Sequence, residues 1–474
     1  MTRILGWMPV AFLLGLAGCA VGPDYRPPAV MVPHAWGQGD QPGVALAPAN
    51  LTAWWRGFHD PVLDRLMDRA IANNLDLKVA LANVREARAL RGIAAADEVP
   101  TIDASGTYAR LRDTENVRPL PPGFDPGHHF FQVGLDASWE IDLWGRIRRA
   151  VEAADATLDA AEDNRRDVLV IVLAEVARNL VAVRTAQQRL IIAQNNIQSQ
   201  REVVDLTRAR FDAGLGTEVD VAQARTVLAT TEAQVPALEV ARDQPIHRLA
   251  VLVGEAPATV LEELRRVDRI PGAPPSVPIG LPSDLLRRRP DVRRAERELA
   301  AATARIGVAT ADLFPRVSLT GTLGVAAIDA AKTFTGGSRF SSIGPEVVWP
   351  IFAGGRIRAG IRVQEAHQEA ALARYDQTVL AALEETENAL IAYGNEHARQ
   401  QRLAEAVEAS QIALTLSREL YLRGLADFLT VLDNERSVYA AEDQRVQSER
   451  TLVVSLIALY KALGGGWEPA QALP

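Results

Sequence analysis

Apolar residues along the chain follow two different periods. From Pro61 to about Val99 they recur every three or four positions, which predicts helical structure that Pro100 ends. Two alternating stretches follow, Thr101–Tyr108 and Phe131–Leu143, and each predicts a strand with one apolar and one polar face. This change from helix to paired strands is the first structural signal in the sequence.

The alternation returns later in the chain. Further strands are predicted at 317–325 and 343–351, and turn residues fill the intervening loops at 112–129 and 326–339. Each strand is close to the length of about nine to eleven residues that a tilted membrane strand needs. The alternative is a soluble four-stranded sheet packed on helices.

After each strand pair the pattern becomes helical and stays so. No proline occurs from Arg146 to Phe211, and a counterpart runs from about Arg356 to Tyr421. At 1.5 Å per residue each helix would be roughly 100 Å long, so it needs lateral partners along its length. Spacing near 3.5 predicts neighbours wrapped as in a coiled coil. Each helix is predicted to end at a Gly-Leu turn, at Gly214 and Gly424.

A returning helix is predicted after each turn, from Glu218 in the first half and from Phe428 in the second. Pro236 and Pro245 lie in the first of these, whereas the second has no proline before Gly464. Because proline kinks or ends a helix, the two returning helices are predicted to differ.

The chain is an internal duplication. Trp139–Arg148 reads WEIDLWGRIR, and 210 positions later Trp349–Arg358 reads WPIFAGGRIR. We assign repeat 1 to residues 61–254 and repeat 2 to residues 283–464, each with helix, two strands, long helix and returning helix. Two copies of one unit favour a quasi-symmetric assembly over a single asymmetric active site.

Three segments lack periodicity. Residues 19–60 are rich in proline and glycine and are predicted to be a tether. Residues 255–282 contain six prolines and are predicted to be a linker between the repeats, and residues 465–474 to be a flexible tail.

Residues 1–18 resemble a bacterial lipoprotein signal peptide. Arg3 precedes a short apolar run, and small residues stand directly before Cys19. Cys19 would then be the first mature residue and carry acyl chains, which anchor a protein firmly when several are present. The alternative is an ordinary secretory signal with a chance cysteine. No cofactor is expected beyond this covalent lipid.

Composition excludes several classes of protein. Charged residues make up 23% and hydrophobic residues 48% of the 474 residues, which is typical of a folded chain. The net charge of −8 argues against a nucleic-acid partner. A single cysteine excludes an intrachain disulfide and a cysteine-based metal cluster.

The sequence lacks the motifs of common enzymes: there is no G-x-S-x-G, P-loop or H-E-x-x-H. His128 and His129 are predicted to lie exposed in a loop, and no metal site is expected. Arg287-Arg288-Arg289 could bind an anion, but a solvated helix end balanced by Asp284 and Asp291 is favoured. The protein is therefore not expected to be an enzyme.

The predicted strands set a condition on assembly. Outside the signal no apolar run approaches eighteen residues, so no membrane helix is predicted in the mature chain. Strands that enter a bilayer must close into a barrel, and small barrels need about eight. Four strands per chain therefore require several chains to share one barrel.

Several motifs resemble one known family. VGPDYRPP follows Cys19, Trp54-Trp55 precede the first helix, and Leu281–Gly321 reads LPSDLLRRRPDVRRAERELAAATARIGVATADLFPRVSLTG. With these the chain resembles the TolC-like outer-membrane factors, in the lipoprotein branch that includes OprM and NodT. The resemblance implies a mostly α fold with transmembrane β. It implies a homotrimer whose twelve-stranded barrel in outer-membrane lipid continues into a long periplasmic α-helical barrel.

The resemblance also implies a function: the passive exit duct of a tripartite efflux system, with a periplasmic adaptor and an inner-membrane pump, expected to be of the RND type. Only four methionines are present, so drug-like solutes rank above soft metal ions. Protein secretion through the same fold and a pore-free periplasmic coiled-coil lipoprotein are the alternatives.

Site residues follow from the same resemblance. The two turns would face the adaptor, although a plain helix–turn–helix corner is the alternative; they comprise Gly214, Leu215, Gly216, Gly424, Leu425 and Ala426. Asp220, Tyr421 and Asp433 match a periplasmic gate.

The gate departs from the family pattern at two positions. Ala426 stands where family members often have Arg, and Thr430 where they often have a second Asp. The ionic lock is therefore incomplete or uses Arg423 or Arg436 instead. We hypothesise that a ring of three Asp433 side chains narrows the pore and favours cations.

Overall fold

The computed structural model describes residues 20–47, 51–112, 114, 127–274 and 276–468. The predicted signal peptide and Cys19 lie outside the described residues, and so do residues 469–474. The chain divides into two compact units. Unit 1 comprises Met1–Ala29, Asn83–Ala161 and Ala295–Tyr375, and unit 2 comprises Val30–Ala82, Glu162–Arg294 and Asp376–Pro474.

Helices make up most of the chain: α1 Pro61–Asn73, α2 Leu75–Ala96, α3 Arg146–Asp212, α4 Glu218–Glu232, α5 Val235–Leu252, α6 Pro257–Leu264, α7 Leu285–Arg288, α8 Pro290–Ala311, α9 Arg356–Leu422 and α10 Phe428–Ala462. Helices α3 and α9 each have 67 residues, which confirms the two long helices and their bounds within one residue. Among the described residues, no helix has both the length and the hydropathy needed to cross a membrane.

The strands are β1 Val44–Ala45, β2 Thr101–Arg112, β3 Gly127–Ile141, β4 Val277–Pro278, β5 Arg316–Ala327 and β6 Arg339–Val348. Strands β2, β3, β5 and β6 form one antiparallel sheet in unit 1, in that order. The prediction that His128 and His129 lie in a loop is wrong, because β3 begins at Gly127. The last strand ends before Trp349 rather than at 351, since Pro350 has no N–H to donate.

The register of this sheet confirms the alternation. Tyr108 pairs with Phe131, and Leu135 pairs with Leu323, so these apolar side chains share a face. The opposite face is polar and carries carboxylates. Asp103 pairs directly with Asp136 there.

The first helical stretch is two helices rather than one. Asn74 separates α1 from α2 with an extended ψ of 132°. Its buried side chain donates from Nδ2 to the Leu252 carbonyl at 2.8 Å and accepts the Leu77 N–H at 3.0 Å. Asn74 therefore caps α2 and ties it to the end of α5 within unit 2, a role that periodicity does not reveal.

The predicted tether and linker pair with each other in unit 2. Strand β1 runs parallel to β4, with Val44 opposite Val277. Trp36, 6% exposed, donates from Nε1 to the Gly280 carbonyl at 3.0 Å. The linker also contains helix α6. Both segments are therefore docked by backbone pairing, a contact that their composition did not indicate.

The first part of the predicted tail is also docked in unit 2. The Trp467 ring lies between the guanidinium groups of Arg166 and Arg293, 4.9 and 5.4 Å from the ring centre. Its indole N–H donates to the Arg288 carbonyl at 2.8 Å. The expectation of a flexible tail is therefore wrong for residues 465–468.

Arg289 is buried and not solvated, contrary to the expectation for the arginine run. Its guanidinium binds Asp291 at 2.6 Å and Glu385 at 2.8 Å, and it donates to the Ala462 carbonyl at 3.1 Å. Only Arg287 behaves as expected, because it is exposed and pairs with Asp284. Buried charge at this point links the start of repeat 2 to the end of α10.

Arg149 fixes the start of the described chain in unit 1. This buried residue of α3 binds Asp24 at 2.6 Å and donates to the Val21 carbonyl at 3.3 Å. Gly22 lies against Gly307 of α8, where a Cβ built on Gly22 would be 2.4 Å from the Gly307 Cα. The N-terminal segment therefore follows a groove that only glycine leaves open.

The two returning helices differ as predicted. In repeat 1 the return is broken between α4 and α5, directly before Pro236. In repeat 2 it is the single 35-residue helix α10. Proline accounts for the break, because its ring clashes with the preceding helical turn.

Candidate functional site

The long helices end in two matching corners. After α3, the Gly214 N–H donates to the Phe211 carbonyl at 2.9 Å and the Leu215 N–H to the Arg210 carbonyl at 2.8 Å. After α9, Gly424 and Leu425 repeat this pair of bonds at 3.0 and 2.9 Å. Both glycines have φ of 73°, the left-handed conformation of a Schellman end. The duplication is therefore preserved in backbone geometry at both corners.

Leu215 and Leu425 leave the corners pointing outward. Their side chains are 67% and 71% exposed. In a Schellman motif the residue at this position commonly packs back on its own helix. A matching pair of exposed leucines at the two corners is an apolar feature without a partner in the described chain, and such features mark contact sites.

The caps of α4 and α10 use the same residue types in reverse order. In α4 the N-cap is Thr217, and the Asp220 carboxylate accepts from its N–H and hydroxyl, both at 2.9 Å. In α10 the N-cap is Asp427, whose carboxylate accepts from the Thr430 N–H at 2.9 Å and its hydroxyl at 2.6 Å. Thr430 therefore does not leave a missing carboxylate, because Asp427 supplies it three residues earlier.

Tyr421 lies in a small core directly behind these corners. Its neighbours come from α3, α4 and α10, and the cluster consists of Val203, Ala224, Val227, Tyr421, Phe428, Val431 and Leu432. The ring of Tyr421 is 5.7 Å from that of Phe428. This aromatic pair joins the last turn of α9 to the first turn of α10.

Arg210 connects the two corners through Tyr421. Its guanidinium lies 4.5 Å from the Tyr421 ring centre, and Nη1 donates to the Tyr421 carbonyl at 3.4 Å. Burial raises the pKa of Tyr421, the Arg210 charge lowers it, and the Asp220 carboxylate raises it further. Tyr421 therefore stays a neutral phenol at neutral pH.

Asp433 has a partner within its own helix. Its carboxylate is 3.5 Å from Arg436 Nη1, and both side chains are more than half exposed. Arg423 makes no ion pair with the described residues. Of Arg423 and Arg436, only Arg436 pairs with Asp433 among the described residues, and this pair lies within one turn of α10.

Glu435 is a buried acid beside this site that sequence reasoning missed. It is 3% exposed and binds Arg418 of α9 at 2.6 Å, while Arg418 also donates to Ser199 of α3. Burial raises the pKa of Glu435, and Arg418 opposes this rise. The signal was present, because Glu435 lies between Val431 and Val438 on the apolar stripe of α10.

Comparison with known proteins identifies the family. The model of a family described as "Outer membrane efflux protein" matches residues 66–255 and 281–465. The chain belongs to this family. The two matched segments follow the two predicted repeats, and membership makes the protein an outer-membrane efflux channel component, as the resemblance implied.

Relatives match along nearly the whole chain. The solvent efflux pump outer membrane protein SrpC of Pseudomonas putida is 35% identical over 473 residues, covering 98% of this chain and 99% of its own. Nodulation protein T of Rhizobium leguminosarum bv. trifolii is 31% identical, with 97% of each chain covered. The solved outer-membrane channel OprN matches with a TM-score of 0.89 and 40% identity, covering 95% of this chain and 100% of that one. These matches confirm the predicted fold class.

Proposed function

We propose that three copies of this chain form the exit duct of a tripartite efflux assembly, fed by a periplasmic adaptor and an inner-membrane pump of the RND type. The observation that carries the proposal is the four-stranded sheet of unit 1, with one apolar and one carboxylate-bearing face and two open edges, β2 and β6. An open edge in lipid leaves backbone groups without partners. Three copies supply twelve strands, enough to join edge to edge.

The faces of the sheet support this assignment. The apolar face suits contact with lipid and the polar face suits a water-filled channel, as in membrane barrels generally. Asp103, Asp136 and Glu346 lie on the polar face, so the channel would favour neutral or cationic solutes over anions. Relatives are described as solvent and toluene efflux pump components, and small apolar or amphipathic solutes are the substrates we propose here.

The exposed corners would receive the adaptor. Leu215 and Leu425 present similar apolar surfaces at the two corners, so one kind of partner segment could bind both. Acyl chains on Cys19 would add a second attachment to the membrane. Asp433, paired with Arg436, would line the periplasmic gate.

Edge-to-edge closure is tested by disulfide trapping. Single cysteines in β2 are combined with single cysteines in β6, in a Cys19-acylated background with no other free thiol. We expect chosen pairs to yield covalent dimers and trimers on a non-reducing gel, and the purified protein to conduct ions in planar bilayers. Conductance by a strictly monomeric species, or no conductance at all, would contradict the proposal.

The gate is tested separately with Asp433→Ala. We expect a larger single-channel conductance, because a side chain that narrows the pore is shortened. We also expect a weaker preference for cations, because a negative charge is removed. Glu442→Ala is a control for charge on the same helix, because Glu442 accepts a hydrogen bond from the neutral Gln411. Unchanged conductance and selectivity would remove Asp433 from the gate.

A further inference from the structure

The apolar face of the sheet ends in a cationic rim. Arg110 and Arg112 are among the last three residues of β2, and Arg339 is the first residue of β6. All three are exposed, and none makes an ion pair with a carboxylate in the described residues. Within the described residues these three arginines have no carboxylate partner, so this part of the apolar surface can accept an anion.

The register places these arginines on the apolar face. Arg110 pairs with His129, two positions along from the pair of Tyr108 with Phe131, so its side chain leaves the sheet on the same side. Arg339 pairs with Val325 and therefore also lies on the apolar face. Because Val325 pairs with Val133 and Val133 with Gly106, Arg339 stands four residues inward from Arg110 along the strands. The charges are therefore on the face that we assign to lipid and not in the channel.

The length of the apolar face fixes the depth of the rim. From Phe131 to Ile141 the strand covers about 33 Å, or roughly 23 Å along the membrane normal at a tilt of 45°. This is close to the apolar band of about 25 Å in such proteins. Arg110 and Arg112 lie two and four residues beyond Tyr108, hence about 5 and 9 Å further out. That is the level of the lipid headgroups.

A recess of about 530 Å³ adjoins the rim. Its lining consists of Tyr108, His129, Phe131, Ile328, Asp329 and Ala330. The Tyr108 hydroxyl is 3.0 Å from His129 Nδ1, and the Tyr108 ring lies 5.1 Å from the ring of Phe131. The Asp329 carboxylate accepts the Ala331 N–H and lies 4.0 Å from Lys332, so its charge is partly balanced.

We propose that the rim Arg110–Arg112–Arg339 binds the phosphate groups of a phosphorylated lipid headgroup in the outer leaflet, with the aromatic recess holding the adjoining part of the headgroup. Charge complementarity selects this occupant, because arginine forms paired hydrogen bonds with phosphate oxygens. The placement in the outer leaflet rests on the proposed membrane orientation. Arg110 and Arg339 lie on the two opposite edge strands of one sheet. The site therefore also rests on the proposed trimer, in which β6 of one copy adjoins β2 of the next.

The test uses the full acylated protein in detergent, with lipid A and dephosphorylated lipid A as probes. Binding is followed as a rise in the thermal midpoint with lipid concentration. We expect the wild type to bind lipid A more tightly than the dephosphorylated form. The triple variant R110Q/R112Q/R339Q should lose about a hundredfold in affinity, because each basic side chain near an anionic lipid contributes about 1 kcal/mol. R110K/R112K/R339K keeps the charge but not the paired hydrogen bonds, so its affinity should lie between those of the wild type and the glutamine variant.

A matched control removes the same charge elsewhere. Arg85, Arg225 and Arg248 are exposed helical residues without ion pairs in the described part of the chain, and R85Q/R225Q/R248Q should bind like the wild type. Equal binding of both lipid forms, or wild-type binding by the rim variant, would overturn the proposal. Conductance of the same samples in planar bilayers reports separately on the channel, so the two ideas fail independently.

Discussion

Asp220 and Asp427 stabilise equivalent helix starts, each through a hydrogen bond between a carboxylate and a threonine three residues away. Asp220 is the third residue of α4 and binds its N-cap Thr217, whereas Asp427 is itself the N-cap of α10 and binds Thr430. The chain has thus kept one carboxylate at each corner while moving it by three positions. A carboxylate at either place also meets the positive end of the helix.

The reversed cap of α10 gives a direct prediction. Asp427→Ala should speed amide exchange in the first turn of α10 several-fold, because the Thr430 N–H loses its side-chain acceptor. The double variant D427T/T430D should exchange nearly as slowly as wild type, since it copies the cap of α4. Exchange measured by mass spectrometry checks both. If the double variant is as fast as Asp427→Ala, the two caps are not equivalent.

The corner glycines should be required for conformation and not for space. A Cβ at Gly424 meets nothing within 4 Å, yet φ is 73°. Gly424→Ala should therefore destabilise the corner by about 1–2 kcal/mol, and Gly424→Asn by less. Amide exchange at the corner is the measurement. Gly216→Ala is the control, because a Cβ there makes only ordinary contacts and its φ is not left-handed; a similar effect in both would contradict the argument.

The buried pair of Glu435 and Arg418 should be costly to break and cheap to replace. Glu435→Ala leaves Arg418 without its carboxylate, and we expect a loss of about 2 kcal/mol. This is below the value for a fully buried pair, because the Arg418 side chain is about a third exposed. Thermal unfolding of the purified protein measures the loss.

The double variant R418M/E435L completes that cycle. It should restore most of the stability, because two apolar side chains replace two charges in the same volume. A double variant as unstable as Glu435→Ala would show that the ion pair itself stabilises this part of the fold. The loss in Glu435→Ala would then not come from leaving Arg418 unpaired.

Acid should weaken unit 2 through Asp291. Burial raises the pKa of this carboxyl, but the bonds from Arg289 outweigh burial and hold the pKa below its usual value of 3.8. A lowered pKa means that the folded chain binds the proton less readily than the unfolded chain. The contribution is therefore complete above about pH 4 and is lost as the pH falls below the ordinary Asp value. Thermal midpoints from pH 6 to pH 3 should show this.

Asp291→Asn is the control for the acid effect. It should be less stable than wild type at pH 6, and the difference should shrink toward pH 3. A constant difference would show that the charge of Asp291 does not contribute.

A single methyl group, added by Gly307→Ala, should displace the N-terminal segment from its groove. A Cβ at Gly307 would lie 2.8 Å from Arg149 Cγ and 2.9 Å from the Val21 carbonyl oxygen. Gly307→Ala should therefore expose residues 20–24 to protease while the sheet stays intact. Before the strands the two repeats are offset by 215 positions, which makes Gly92 the counterpart of Gly307. A Cβ at Gly92 meets nothing within 4 Å, so Gly92→Ala should leave the segment protected. Equal cleavage in both variants would refute the groove.

Features that repeat along the chain could be predicted from it. The bounds of α3 and α9 and the alternation of the strands depend on periodicity, which is local. The resemblance pointed to the corners and to Tyr421. By contrast, the pairing of β1 with β4 joins residues more than two hundred positions apart. Proline-rich composition predicted a tether and a linker there, but not that the two segments pair.

Buried charge was the main failure of sequence reasoning. Arg289 and Glu435 are ionisable, so each was either assigned to solvent or overlooked. Their burial depends on partners supplied by distant helices, Glu385 in α9 for one and Arg418 for the other. A charged residue in an apolar stripe is a usable warning of such a pair, as Glu435 shows. The reversed cap could not be predicted from the sequence, because the roles of Asp427 and Thr430 depend on the residue at which α10 begins.

The proline-induced break between α4 and α5 makes the two halves mechanically unequal. Helix α10 is uninterrupted over about 52 Å. A force applied at Phe428 is therefore transmitted along the helix to Ala462. The same push on Glu218 reaches a joint at Ala233-Gln234 and can be absorbed by bending there. One hairpin of each chain can therefore act as the moving arm, while its sister yields locally.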